Sequence, residues 1–341
     1  MLLVLGLTEL LPKAWGRWVE AALALFLVCL SAIAPFVWIK PAYALPESVT
    51  DAQAAAVPNR LDVEFEGVMR LLGYELEVDE VDPGGQVGVT LHWEAMSPAD
   101  RDYTVFVHLL GEGELVVAQR DTFPGLGQLS TTWVEPGFSW ADRYVLQVPA
   151  TAYAPDAAQI EVGLYDAATR MRLPAVGPTG ERLGDRVVFG RVEVRPRPGD
   201  IPNSLYVNFG NQMALVGYAL DRRIARVGEE VTLTLYWRGL RQMSVNYTVS
   251  TQLVDADQRK AAQQDGWPQE GSAPTGLWAA EETVVDVRRL AVFPDAAPGA
   301  YGLQVVVYDL EGGEISRLPI IPEGGQMLRD HVVLTQVRVN P

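Results

Sequence analysis

Two periodicities divide the chain. From residue 18 to residue 39 the sequence WVEAALALFLVCLSAIAPFVWI is apolar at nearly every position. At ~1.5 Å of rise per residue this run makes roughly 33 Å of helix, enough to cross a bilayer core of about 30 Å. From residue 59 onward apolar and polar residues alternate, as in strands buried on one face. Val87, Val89, Leu91 and Trp93 are expected on one face, with Gly88, Thr90 and His92 on the other. Val, Tyr, Thr and Trp are frequent, as strands prefer. Pro-Gly, Glu-Gly-Gly and Ala-Pro-Gly clusters punctuate the runs. No helical stripe longer than a few turns follows residue 45.

The strand-like region repeats itself. Asn59-x-Leu61-x-Val63-x-Phe65 returns as Asn203-x-Leu205-x-Val207-x-Phe209, and Leu72-Gly73-Tyr74 as Val216-Gly217-Tyr218. Val87-x-Val89-x-Leu91-x-Trp93 returns as Val231-x-Leu233-x-Leu235-x-Trp237, and Gln119-x-Asp121 as Gln263-x-Asp265. All share an offset of about 144 residues, which marks two tandem copies of one unit. The expected fold is all-β: two tandem antiparallel β-sandwiches, immunoglobulin-like or jelly-roll, after one N-terminal transmembrane helix. The expected divisions are a cytoplasmic segment 1–17, a transmembrane helix 18–39, a linker 40–58, sandwiches 59–196 and 203–341, and a short linker 197–202.

Lys13 and Arg17 precede the span, so the positive-inside rule puts residues 1–17 in the cytoplasm. The chain is then single-pass in the plasma membrane with both sandwiches extracytoplasmic. Ala42-Tyr43-Ala44 also fits a signal-peptidase site, but the preceding apolar run exceeds the ~7–15 residues of a signal. A retained anchor is therefore the preferred reading. The 341 residues carry a net charge of −16, which disfavours nucleic acid as partner. One cysteine, Cys29, rules out a disulfide within the chain and a Cys-rich metal site.

Candidate chemistry is sparse. His92, His108 and His331 sit singly in strand-like runs, without metal-ligand spacing. No acid–base constellation is legible, so no catalytic residue is nominated and no cofactor is expected. Gly84-Gly85 and Gly312-Gly313 are read as hairpin turns. Asp121, Asp142, Asp265 and Asp286 recur in both copies; they are candidates for calcium and, on the plainer reading, for backbone bonds in turns. Trp93 and Trp237 are expected in the cores. Trp133 and Trp278 correspond one residue out of register, while Trp140 and Trp267 lack a partner in the other copy. These four tryptophans are the candidate ligand-binding residues, because an exposed indole stacks on a sugar ring.

The residues 71–76 (LLGYEL), 83–93 (PGGQVGVTLHW), 102–110 (DYTVFVHLL) and 118–124 (AQRDTFP) resemble a bacterial extracytoplasmic β-sandwich family. Such sandwiches often follow the last membrane helix of multi-spanning glycosyltransferases of the dolichyl-phosphate-mannose type (GT-C superfamily). The resemblance implies a sandwich accessory to a glycosyltransferase. That family's catalytic acids follow the first of many membrane helices, so none carries over to this chain. The apolar residues 1–11 would fit a transferase portion lying upstream. The expected function is a non-catalytic, membrane-anchored module that binds glycan or an envelope protein. The alternatives are a structural or assembly protein of the cell surface and a free-standing glycan-active enzyme.

Overall fold

The computed structural model describes residues 13–40, 45–310, 314–322 and 329–341. Residues 1–11, Ala42-Tyr43-Ala44 and Gly312-Gly313, all singled out above, lie outside the described residues. Helix α1 spans Lys13–Ala34 and continues as a π-helical turn over Pro35–Ile39. Pro35 has no N–H to give, and the ladder widens beside it, with Lys40 N–H bonding Pro35 O. Over Ala21–Ile39 the mean hydropathy is 2.5, and none of that stretch is buried against the rest of the chain. By length and composition this helix can cross a membrane.

The linker has local order. Thr50 and Gln53 exchange side-chain and backbone hydrogen bonds, a capping box that opens helix α2, Asp51–Ala55. Val49 N–H donates to Ser139 O, and Val57 is buried.

The first copy contains β1 (Asn59–Phe65), β2 (Met69–Leu76), β3 (Glu80–Val81), β4 (Gln86–Ala95), β5 (Tyr103–Leu110), β6 (Val116–Thr122), β7 (Ser139–Gln147), β8 (Asp156–Asp166), β9 (Ala175–Val176), β10 (Arg182–Gly184) and β11 (Val187–Val194). The second contains β12 (Val207–Phe209), β13 (Met213–Leu220), β14 (Ile224–Arg226), β15 (Glu230–Gly239), β16 (Thr248–Val254), β17 (Lys260–Gly266), β18 (Thr283–Ala291), β19 (Gly299–Asp309), β20 (Ser316–Arg317), β21 (Ile320–Ile321) and β22 (His331–Asn340). The first copy forms sheets of order β10-β9-β1-β2-β4-β7 and β3-β11-β8-β5-β6. The second forms β18-β15-β13-β12-β21 and β14-β22-β19-β16-β17. Consecutive strands β4 and β5 lie in opposite sheets, and β7 and β8 return beside them. This Greek-key order is the immunoglobulin-like alternative. Gly84, at φ 90°, turns the chain from β3 in one sheet to β4 in the other, so the Gly84-Gly85 turn is a crossover and not a hairpin.

Alternation places the cores. Val87, Val89, Leu91 and Trp93 are fully buried, as are Val231, Leu233, Leu235 and Trp237. Each set joins a hydrophobic cluster fed by both sheets of its own copy. Polar bonds cross between the copies: Tyr218 Oη–H to Thr151 O at 2.7 Å, Ala154 N–H to Asn203 Oδ1 at 2.7 Å, and Val116 N–H to Gln336 Oε1 at 3.2 Å. Arg223 and Asp156 form a buried ion pair in the same seam.

Candidate functional site

The loop joining β17 to β18 carries Trp267, 44% exposed. The loop is held from below. On β18 the inward positions are Val284, Asp286, Arg288 and Leu290, so an acid and a base replace apolar residues in the middle of a buried row. Arg288 Nε donates to Asp286 Oδ2 at 2.7 Å, and both side chains are buried. Arg288 Nη1 donates to Val249 O at 3.3 Å, and two other groups of the pair reach the loop. Arg288 Nη2 donates to Gly266 O at 3.1 Å, and Asp286 Oδ1 accepts Gln269 N–H at 2.7 Å. The backbone is therefore fixed on both sides of Trp267.

Gln264, Asp265, Trp267, Glu270 and Arg288 line a cavity of about 270 Å³. Asp265 accepts from Ser250 Oγ at 2.5 Å, Gln263 Nε2 at 2.7 Å and Tyr308 Oη at 3.2 Å, which orient its carboxylate. Gln264 Oε1 accepts Arg289 N–H at 2.8 Å. Its amide nitrogen, and the Glu270 carboxylate, have no partner among the described residues. An indole face beside one amide and two carboxylates offers apolar contact to one side of a ring and hydrogen bonds to its edge. Arg288 is neutralised by Asp286, so the groove is acidic on balance and suits neutral or amine-bearing rings over phosphates.

The other candidates lie elsewhere. Trp133 is 79% exposed, in the loop between β6 and β7 of the first copy, and does not meet Trp267. Trp140 is a correction: it is 1% exposed, stacks on Phe138 at 5.8 Å and donates to Asp142 at 2.9 Å. Its position on β7 is inward, and alternation overrides the turn-rich flank. Trp278 is likewise buried and donates to Ala273 O at 3.0 Å. The one-residue offset between Trp133 and Trp278 sends one ring to solvent and the other to the core. Neither buried ring can serve as a stacking platform.

The four aspartates do not converge. Asp142 accepts Gly125 N–H at 2.8 Å, the counterpart of Asp286 on Gln269. Asp121 accepts from Tyr165 Oη at 3.2 Å, as Asp265 does from Tyr308. Among the described residues no group of three or more His, Cys, Asp or Glu side chains is arranged to hold a metal ion. The calcium reading of Asp121, Asp142, Asp265 and Asp286 thus gives way to bonds with backbone and neighbouring side chains.

A buried polar cluster occupies the outer face of the β5–β8 pair. His108 Nδ1 lies 2.9 Å from Glu161 and Nε2 lies 3.2 Å from Asp121. Arg186 and Arg172 donate to the other oxygen of Glu161 at 2.9 and 3.2 Å. Burial by itself pushes the Glu161 carboxyl up, yet His108, Arg186 and Arg172 outweigh it and hold it down at about 2. Burial likewise works against the His108 cation, but the bonds to Asp121 and Glu161 outweigh it and raise its pKa. Carboxylates at both ring nitrogens favour the His108 cation, and in that form neither nitrogen has a free lone pair for a general base. The equivalent pair in the second copy is Gln252 opposite Gln304.

A further cavity, about 470 Å³, lies in the seam between the copies and is lined by Val116, Tyr153, Arg223, Ile320, His331 and Leu334 among others. Arg223 is committed there to Asp156, and the wall is largely aliphatic.

Sequence reading found Trp267 but missed Gln264, Glu270 and Arg288. Only Arg288 left a signal, a base at an inward position of an alternating strand. The molecule is thus an all-β chain of immunoglobulin-like sheets behind one helix long enough to span a membrane. No protein-family model matches the chain, and no curated protein matches it.

Proposed function

We propose that this chain is a non-catalytic, membrane-anchored module whose extracytoplasmic sandwiches bind glycan in the Trp267 groove, as an accessory to a glycosyltransferase. The half-exposed Trp267, flanked by Asp265 and Glu270 and braced on both sides by the buried Asp286–Arg288 pair, carries this reading. A braced aromatic spends little ordering entropy when a ligand stacks on it. The engaged ring nitrogens of His108 support a non-catalytic role. The anchor reading rests on the length and apolar character of α1 and on the flanking Lys13 and Arg17.

The test is binding of the full chain, reconstituted in nanodiscs, to a panel of neutral and amino-sugar oligosaccharides. Trp267→Ala is expected to weaken binding at least tenfold, since losing an aromatic contact costs about 1.5–3 kcal/mol. Binding that survives Trp267→Ala, or no binding at all, overturns the groove as the site. The assembly reading has one observation in its favour: Val285 and Val287 are exposed on β18, an edge strand. Self-association that Val285→Lys abolishes, with no glycan bound, would favour it.

A further inference from the structure

The loop between β6 and β7 in the first copy is the counterpart of the Trp267 loop, but its chemistry has changed. Residues 123–138 carry one charged side chain, Glu135, where residues 267–282 carry Glu270, Glu281 and Glu282. Phe123 and Leu126 stand at the positions of Trp267 and Glu270, and Phe138 at that of Glu282. Phe123, Leu126 and Trp133 are all exposed. Exposed apolar side chains concentrated on one loop mark a contact surface.

The linker says what lies against it. Leu45, exposed itself, shares a cavity of about 300 Å³ with Trp133 and Phe138. Pro46 lies so close to Gly125 that a Cβ at that glycine would sit 3.1 Å from Pro46 Cδ. The chain is thus held against this loop at Leu45 and Pro46, five and six positions past Lys40. Lys40 ends the spanning helix, and five Cα–Cα steps of at most about 3.6 Å separate it from Leu45, a reach of about 18 Å. The polar region on each side of a bilayer core is itself several ångströms deep. A loop fastened to Leu45 and Pro46 stays within reach of that region wherever the sandwich leans.

We propose that Phe123, Leu126 and Trp133 dock on the lipid surface at the end of α1 and set the first sandwich against the membrane. This rests on the membrane-anchored reading. Aromatic and aliphatic side chains on a loop that carries no Lys or Arg of its own suit the interface of an uncharged bilayer. The two homologous loops then divide the work: the first faces lipid, and the second keeps Trp267 and its carboxylates for ligand.

The test uses the full chain with Cys29→Ala, reconstituted in phosphatidylcholine vesicles. Single cysteines replace Trp38, Trp133 or Leu277 in turn, each labelled with an environment-sensitive dye. Leu277 is the exposed counterpart of Trp133 in the second copy. Lipids bearing a nitroxide near the head group are expected to quench the label at 133, with a blue-shifted emission, and to leave the label at 277 unchanged. Quenching at 38 without quenching at 133 overturns the docking and leaves the anchor standing. No quenching at 38 overturns the anchor and the docking with it. A label at 133 that is shielded from aqueous iodide but untouched by nitroxide lipid points to a second copy or another protein, and also overturns the proposal. Phe123→Ser/Leu126→Ser, changed together at exposed positions, is expected to reduce quenching at 133 without altering it at 38. Unchanged quenching at 133 in that variant would remove those two residues from the contact.

Discussion

Arg223 of the second sandwich places Nη2 2.7 Å from the carboxylate of Asp156 in the first, and both side chains are buried. The same carboxylate accepts Glu112 N–H at 3.0 Å, and the Arg223 guanidinium lies 4.7 Å from the Tyr153 ring centre. Removing Arg223 leaves the buried Asp156 carboxylate with the Glu112 N–H but without its counter-ion. Arg223→Met is expected to cost about 3–5 kcal/mol in urea unfolding and to split one transition into two. Arg223→Met with Asp156→Asn is expected to recover most of that loss. A single substitution costing under about 1 kcal/mol would mean that the pair does not hold the seam.

The two copies treat one buried aspartate differently. Burial pushes the Asp142 carboxyl up, and its partners are Trp140, the Tyr144 hydroxyl and backbone N–H groups, with no cation. Asp286 instead carries Arg288. Asp286→Asn strands a buried guanidinium and is expected to cost about 3–5 kcal/mol, against about 1–2 for Asp142→Asn. Equilibrium denaturation of the two variants side by side checks the order.

The His108 cluster gives the first sandwich a pH signature. The pKa of His108 is raised, so its contribution is complete below 6.5 and is lost as pH rises through the folded value. Glu161 is held at about 2, so its contribution is complete above its ordinary 4.5 and is lost as pH falls toward 2. Both act together between those two ordinary values. Across the acid limb the Glu161 share reaches about 3 kcal/mol at most. His108→Gln with Glu161→Gln copies the Gln252 and Gln304 of the second sandwich. Its melting temperature, followed from pH 3 to 9, is expected to vary less than that of the parent; an unchanged profile would exclude the cluster as the source.

Gly73 and Gly217 hold the same place in the repeated Leu-Gly-Tyr and Val-Gly-Tyr motifs. A Cβ at Gly73 would lie 2.2 Å from Asn59 O, and one at Gly217 would lie 2.8 Å from Pro202 O. A backbone carbonyl that cannot rotate away stands in both places, and at Gly217 the Ile201 Cγ2 methyl is closer still, at 2.3 Å. Gly73→Ala and Gly217→Ala are each expected to cost about 1–3 kcal/mol, measured by thermal unfolding.

Much of this was legible along the chain. The 22-residue apolar run set α1 because a bilayer-length stretch whose one charge, Glu20, lies near its end has one stable form in lipid. Strand alternation set which face of β4 and β15 is buried, because successive side chains leave a strand on opposite sides. The offset between the copies made two similar sets of sheets expected, and Trp93 and Trp237 fell in the cores as alternation required.

Tertiary structure decided the rest, because it depends on what arrives from distant sequence. Trp140 and Trp267 are alike as unpaired tryptophans in turn-rich stretches, yet one points inward from β7 and the other lines a groove from the loop after β17. The choice between sandwich topologies lay in which strands pair, not in any strand's own composition. Arg288 beneath Trp267, Glu161 against His108 and Arg223 against Asp156 each join residues at least 20 positions apart. The repeated glycine was visible at once, but its reason, a backbone carbonyl from the preceding segment, exists only after the chain folds back on itself.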